Sequence, residues 1–266
     1  RAPILSISSL AGADVSRRLR ALAIALRVYT IAHVNIRHNV ESVRERIVEA
    51  CKRAGRSPGD VQLMVVSKTK PVEMIREAYE AGITVFGENR VQEFADKHPQ
   101  VAELRIEWHL IGHLQSNKSN KAAELFDGVD SVDSVKLAER LDRAAQDAGK
   151  TLDILIEINV GGEEQKAGLA PEAPELHELL RSFEKYEALQ MRGLMCIPPL
   201  SDDPNIARGY FRRMRDLRDQ LATLQLPRVE LDELSMGMTH DFELAIAEEA
   251  TIIRVGTAIF GERQKP

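Results

Sequence analysis

Short apolar runs alternate regularly with longer amphipathic stretches between residues 35 and 263, and this alternation leaves few folds open. Helix-type spacing of apolar residues is clearest at 135–149, 210–224 and 241–250. Strands that alternate with helices form parallel sheets, and eight such units predict a single closed (β/α)8 barrel of the TIM type, in the α/β class. The eight strand-like runs lie at 63–68, 84–89, 108–112, 128–134, 152–160, 189–197, 229–237 and 251–261.

An open, doubly wound sheet is the alternative fold that the same alternation allows. Its dinucleotide-binding form carries G-x-G-x-x-G after the first strand, and no such sequence follows residues 63–68. No low-complexity linker divides the chain, so one barrel domain is expected over residues 34–266. An extra N-terminal helix is expected to precede the barrel, because apolar residues recur at every third or fourth position and form one stripe, which ends near Gly55. The stripe consists of Ile36, Val40, Val43, Ile47 and Cys51.

The beginning of the chain differs from the rest in charge. Residues 1–38 contain six arginines and one acidic residue, whereas the whole chain has a net charge of −5. An arginine-rich, acid-poor segment that contains serine resembles a targeting presequence. We favour the interpretation that this segment is upstream sequence and not part of the folded domain. Residues 1–33 are therefore expected to form a disordered or targeting-derived extension outside the barrel.

The composition excludes several classes of protein. The mildly acidic balance argues against a nucleic-acid binder, and no uninterrupted apolar run approaches the length of a membrane span. Two cysteines, Cys51 and Cys196, cannot make a disulfide framework or a four-ligand zinc site. His109 and His113 would lie about 13 Å apart along a strand, too far to share a metal. We therefore expect a soluble, cytoplasmic protein without a metal site.

Functional side chains of such a barrel lie at the C-terminal ends of its strands, where Lys68 is the first candidate. Alternation places Lys68 on the same face of its strand as Met64 and Val66. If that face points inward, burial lowers the pKa of the amine and lets it form a Schiff base with an aldehyde. A lysine at a strand end is otherwise a surface residue, and this strand alone leaves both interpretations open.

The ends of the last two strands carry a second group of candidates. SMGMT supplies the hydroxyls of Ser235 and Thr239, and RVGT supplies Gly256 and Thr257. The loops after strands seven and eight form the usual phosphate site of this fold. Ordinary turn and capping chemistry explains the same residues without a ligand. Together the two loops favour a phosphorylated ligand, and a phosphosugar-binding barrel is one possibility.

Seven sequence blocks, in a fixed order over residues 35–263, carry a more specific resemblance. They resemble the pyridoxal 5′-phosphate (PLP) homeostasis protein family, which is related to the N-terminal barrel of alanine racemase. The blocks are VVSKTKP, FGENRVQE, WHLIGHLQSNK, EINVGGEEQKAGL, MRGLMCIP, LSMGMTHDFELAI and IIRVGTAIFGER.

The resemblance implies a cofactor-binding role for eight residues. Lys68 would hold PLP as a Schiff base, and Arg254 would face the pyridine nitrogen. Asn89 and His109 would line the pocket near the ring. Four residues would hold the phosphate, namely Ser235, Thr239, Gly256 and Thr257.

The resemblance also implies a function. A permanently charged Arg254 would disfavour protonation of the ring nitrogen and weaken PLP as an electron sink. Related racemases use such an arginine but add a C-terminal domain with a catalytic tyrosine, and this sequence ends five residues after the last predicted strand. We therefore expect a protein that carries or buffers PLP and thereby affects amino-acid and keto-acid balance, without catalytic residues. A single-domain, PLP-dependent amino-acid racemase is the alternative.

The expected partners follow from that function. PLP is the ligand, and PLP-dependent apoenzymes would be transient partners. Neither nucleic acid nor a membrane is expected to bind. The charged outer face of residues 210–224 suits a monomer.

Overall fold

The computed structural model, which describes residues 34–163 and 165–262, is a closed barrel of eight parallel strands. Each strand pairs with the next along the chain, and the last pairs with the first. The predicted (β/α)8 fold is confirmed. The strands are β1 (Gln62–Val66), β2 (Val85–Glu88), β3 (Glu107–Leu110), β4 (Gly128–Val132), β5 (Leu152–Glu157), β6 (Leu189–Met195), β7 (Val229–Ser235) and β8 (Ile252–Val255).

Helices cover the outside of the barrel. The predicted extra helix precedes β1; the side chain of Asn35 caps its start, and Gly55 ends it with a φ of 68°. The helices are α1 (Ile36–Ala54), α2 (Val72–Glu80), α3 (Val91–Lys97), α4 (Ser119–Leu125), α5 (Val135–Asp147), α6 (Pro174–Ser182), α7 (Pro204–Ala222), α8 (Phe242–Ala247) and α9 (Thr257–Phe260).

Apolar side chains pack in two separate clusters. The larger cluster fills the layer between strands and helices and includes Val65 of β1. The smaller cluster fills the barrel interior and includes Met64, against which Val66 packs. Since side chains alternate along a strand, the inward face of β1 is the one that leads to Lys68. The structure thus shows which face of β1 points into the barrel, which the sequence left open. The interior cluster consists of Met64, Val85, Ile111, Leu155, Met195 and Ile252.

The last predicted strand is shorter than expected. The sequence predicts a strand over 251–261, but β8 ends at Val255 and Thr257–Phe260 is helical. At the break, a Cβ on Gly256 would lie 3.3 Å from the carbonyl oxygen of Val66, so the backbone passes close to β1 there. Four residues are too few to display helical periodicity, which is why the pattern was misleading.

Two predictions about the whole chain remain. The predicted extension, residues 1–33, lies outside the described residues. In the parts of the chain that the structure describes, no helix is both long enough and apolar enough to cross a membrane.

Candidate functional site

The candidate residues gather around the C-terminal end of the barrel, which we call the mouth. Lys68 lies two residues after the end of β1, and Asn89 directly follows β2. Two of the candidates, His109 and Arg254, lie one residue before the ends of their strands and deeper in the barrel. The others belong to the end of β7 and the loops after β7 and β8, namely Ser235, Thr239, Gly256 and Thr257.

Lys68 lies in a tight turn at the mouth. The turn closes with a hydrogen bond from the backbone N–H of Lys70 to the carbonyl of Ser67, at 3.0 Å. Ser67 is completely buried, whereas Lys68 itself is half-buried. Thr69 follows with a φ of 63°, a left-handed conformation that is rare for a β-branched residue. The chain therefore reverses at the lysine, at the point where the inward face of β1 reaches the mouth.

Arg254 is a buried cation in the wall of the barrel. Its Nη1 donates to the carbonyl and to the Oγ of Ser235, at 2.7 and 2.6 Å, and its Nη2 donates to the carbonyl of Cys196 at 2.7 Å. Burial lowers the pKa of Arg254, but a guanidinium starts so high that it stays protonated. Arg254 therefore ties together the ends of β6, β7 and β8 with a fixed positive charge.

A hydroxyl joins the loop after β7 to α9. The backbone N–H of Ala258 donates to Oγ1 of Thr239 at 3.4 Å. A hydroxyl that accepts a hydrogen bond can still donate its own proton, so Thr239 retains a donor, as does Ser235 beside Arg254. Gly237 has a φ of 90°, and a Cβ there would lie 2.6 Å from the Cβ of Ala245. The loop after β7 thus needs glycine at that position.

Helix α1 donates hydrogen bonds, from outside the barrel, to α9 and to the loop after β7. Asn39 Nδ2 donates to the carbonyl of Ile259 in α9 at 2.9 Å. Arg46 donates to the carbonyl of Thr239 at 3.2 Å and to Glu243 at 2.8 Å. Its guanidinium also lies 4.4 Å from the ring centre of Phe242. These polar contacts could not be predicted, because only the apolar stripe of α1 has a recognisable period in the sequence.

Asn89 presents an unsatisfied polar group at the mouth. Its Oδ1 is buried and has no hydrogen-bond partner among the described residues. The backbone of Asn89 is crowded, since a Cβ on Gly112 would lie 2.4 Å from its carbonyl oxygen. An amide carries both donors and an acceptor, and leaving one buried without a partner is costly. Such a group fits a ligand with polar atoms.

His109 is bonded through both ring nitrogens. Nδ1 lies 2.7 Å from Oδ1 of Asp130, and Nε2 lies 2.9 Å from Oε1 of Glu107. Burial alone would lower the pKa of His109, but the two carboxylates raise it well above the usual value. With both nitrogens occupied, only the ring surface of His109 is left for a ligand.

Glu157, at the end of β5, is a further candidate for the site that the sequence analysis did not identify. Leu155 belongs to the interior cluster, so alternation puts Glu157 on the inward face at the mouth. Burial and nearby Asp133 raise its pKa, and Arg254 opposes that shift. The alternation of β5 could have revealed this residue.

Comparison with known proteins establishes the family. The family model described as alanine racemase, N-terminal domain, matches residues 31–264. A pyridoxal phosphate homeostasis protein of Aquifex aeolicus is 45% identical over 231 residues, which cover 87% of this chain and 100% of the relative. The corresponding protein of Escherichia coli K12 is 42% identical over 232 residues, which cover 86% and 97%. This chain belongs to the pyridoxal phosphate homeostasis protein family.

Solved structures agree with that membership. PipY of Synechococcus elongatus, with PLP bound, is 41% identical, with a TM-score of 0.74 over 85% of this chain and 100% of PipY. An alanine racemase of Clostridium difficile is 14% identical, with a TM-score of 0.66 over 87% of this chain and 57% of the racemase. At that identity the racemase shares the barrel fold alone.

Proposed function

We propose that this protein binds PLP at the barrel mouth and serves PLP homeostasis as a carrier or buffer. One observation carries the proposal: Lys68, at the inward face of β1, shares a rim with the hydroxyl-bearing loops after β7 and β8. An aldehyde and a phosphate on one small ligand need an amine and a phosphate cradle at one site. The PLP-bound structure of the homologous PipY supports the same ligand.

The residues present fit PLP at each of its ends. Lys68 would hold the aldehyde carbon, and Arg254 would face the ring nitrogen. Asn89 and the ring of His109 would lie beside the pyridine. When bound, PLP supplies an aldehyde that condenses with a neutral amine, releasing water, and a ring that withdraws electrons. The phosphate would be held by Ser235, Thr239, Gly256 and Thr257.

The charge at the ring nitrogen supports carriage over catalysis. Arg254 remains protonated, and a fixed cation there disfavours the protonated pyridine that makes PLP a strong electron sink. In the described part of the chain, tyrosines occur in α2, after α6 and in α7, and none stands at the C-terminal end of a strand. A racemase needs a second acid or base opposite its lysine; no tyrosine at the described strand ends takes that role, and Glu157 is the acidic side chain that the alternation of β5 places at the mouth.

A PLP titration followed by absorption tests the proposal. The wild type is expected to develop the imine band at roughly 420 nm, and Lys68→Ala is expected to lack it. Lys121→Ala, which removes an exposed lysine of α4, serves as the matched control. If Lys68→Ala retains an imine that borohydride reduces, Lys68 is not the PLP-binding lysine.

A test of turnover separates the carrier from the racemase. The PLP-loaded protein is incubated with a panel of L-amino acids, and α-proton exchange and D-isomers are measured. We expect exchange far below typical enzyme turnover of about 1–10³ s⁻¹. Turnover within that range would replace the carrier with an amino-acid racemase.

We propose further that the protein is a cytoplasmic monomer that passes PLP transiently to apoenzymes. Cys51 and Cys196 are both buried and unpaired, as suits a reducing compartment. Light scattering at several concentrations checks for the mass of one chain, and cell fractionation checks the location. Faster reactivation of a PLP-dependent apoenzyme by loaded protein than by an equal amount of free PLP would support transfer.

A further inference from the structure

A buried ionic cluster lies between β1, β2 and α3, directly behind the turn that carries Lys68. Its centre is the ammonium of Lys97, whose side chain is only 13% exposed. The ammonium lies 3.0 Å from Oε1 of Glu88, 2.7 Å from Oε1 of Glu93 and 3.2 Å from the carbonyl oxygen of Ser67. An ammonium has three protons to donate, and three acceptors surround this one.

The cluster makes hydrogen bonds to the residues on both sides of Lys68. On one side, Ser67 donates its hydroxyl to Glu88 at 2.7 Å and accepts from Lys97 through its carbonyl. On the other side, the backbone N–H of Thr69 donates to Oε1 of Glu93 at 2.6 Å. Lys97 is the common partner of both carboxylates. The residues that flank Lys68 are therefore held through a single cation.

These hydrogen bonds coincide with an unfavourable backbone conformation. Thr69 has a φ of 63°, and a β-branched residue pays a steric penalty there. Such a conformation persists only where its surroundings hold it, and it tends to occur at functional sites. The hydrogen bond from Thr69 to Glu93 is the contact that fixes this residue from outside the turn. The strained residue and the hydrogen bond that holds it thus both lie next to Lys68.

We propose that Lys97 is a positioning residue for PLP binding: through Glu88 and Glu93 it holds the turn so that Lys68 meets the aldehyde in a fixed geometry. This inference rests on the proposed function and adds to it residues that never touch the ligand. It is more than an ordinary surface ion pair, because Glu88 is completely buried and the partners on the turn include backbone groups. Positioning of this kind changes how readily a bond forms, beyond its effect on stability.

Two variants test the proposal in different ways. Lys97→Met removes the central cation, but it also leaves the carboxylates of Glu88 and Glu93 without their cationic partner and risks unfolding the protein. Glu93→Ala removes the hold on Thr69 together with the Glu93–Lys97 ion pair, while Lys97 keeps Glu88; since the side chain of Glu93 is 28% exposed, this variant is expected to fold. Lys121→Met, which breaks the exposed pair with Glu124, is the matched control.

The readouts are the dissociation constant for PLP from the imine band and the pH at which that band changes form. We expect Glu93→Ala, and Lys97→Met where it folds, to bind PLP about tenfold more weakly and to shift that pH, whereas Lys121→Met matches the wild type. Thermal unfolding of the PLP-free proteins checks folding. A folded Glu93→Ala with the wild-type constant and pH profile would overturn the proposal.

Adding Thr69→Gly to Glu93→Ala tests whether PLP binding depends on the conformation of the turn. Glycine adopts a positive φ without the steric penalty, so it restores part of the turn without restoring the ionic cluster. We expect PLP binding to recover by a few-fold from the roughly tenfold loss. No recovery of binding would contradict the role assigned to the turn. A wild type without an imine band would overturn the proposed function itself, whereas an unaffected Glu93→Ala overturns only the role of Lys97.

Discussion

At the scale of single residues, the site rests on charges whose partners come from other strands. The position of Lys68 at the mouth was predictable, because alternation along β1 and the SKTKP block both indicate it. Lys97 was not, since its partners Ser67, just after β1, and Glu88, at the end of β2, meet it only after α3 packs on the barrel. A single sequence records which residues exist, and tertiary packing decides which of them meet.

Arg254 allows a direct test at this scale. Arg254→Ala removes the cation expected at the ring nitrogen and leaves the carbonyls of Ser235 and Cys196 without that donor. We expect PLP to dissociate faster and the imine band to shift, with a loss of about 1–3 kcal/mol in the free energy of unfolding. Dialysis of loaded protein, spectra and urea unfolding measure these effects. An unchanged spectrum and unchanged retention would remove Arg254 from the site.

At the scale of elements, the side of the mouth where the phosphate is expected contacts a helix that is not part of the eightfold repeat. Helix α1 was predicted from its apolar stripe, but its polar contacts with the loops after β7 and β8 were not. Helix α9 was predicted as strand, because a four-residue helix shows no period. Long periodic elements are thus readable from sequence, and short ones that shape the site are not.

The hydrogen bond from Arg46 of α1 to the loop after β7 predicts an effect on binding that depends on the phosphate of the ligand. Arg46→Ala frees the carbonyl of Thr239 and loosens the loop expected to hold the phosphate. We expect affinity for PLP to fall about three- to tenfold, while affinity for pyridoxal, which lacks the phosphate, stays unchanged. Arg44→Ala is the control. Arg44 also belongs to α1 and donates to backbone carbonyls, but to those of Ala81 and Gly82. Equal losses for both ligands would contradict the phosphate-side role.

At the scale of the whole molecule, the barrel interior is partly ionic. His109 lies between Asp130 and Glu107, and Gly128 leaves it room, since a Cβ there would lie 2.5 Å from Nδ1. The sequence predicted eight strands and their order, which suffices for the barrel. It did not predict this trio, because the trio depends on the register between β3 and β4.

The trio predicts a pH dependence of stability. The pKa of His109 is raised on folding, so its contribution is complete below the unfolded value of 6.5 and is lost as pH rises through the folded value. We expect the free energy of unfolding of the wild type to decline as pH rises above 6.5. His109→Gln should lose that decline, whereas His177→Gln, an α6 control, should keep it. Urea unfolding across pH measures both, and parallel curves for wild type and His109→Gln would contradict the assignment.

The claim that PLP is bound through Lys68 is tested most directly by locating the bond. The protein is loaded with PLP, reduced with borohydride, digested and analysed by mass spectrometry. We predict one stoichiometric phosphopyridoxyl group on Lys68, in the peptide that contains SKTKP. A label spread over exposed lysines such as Lys121, or a label of the same yield in Lys68→Ala, would contradict the account.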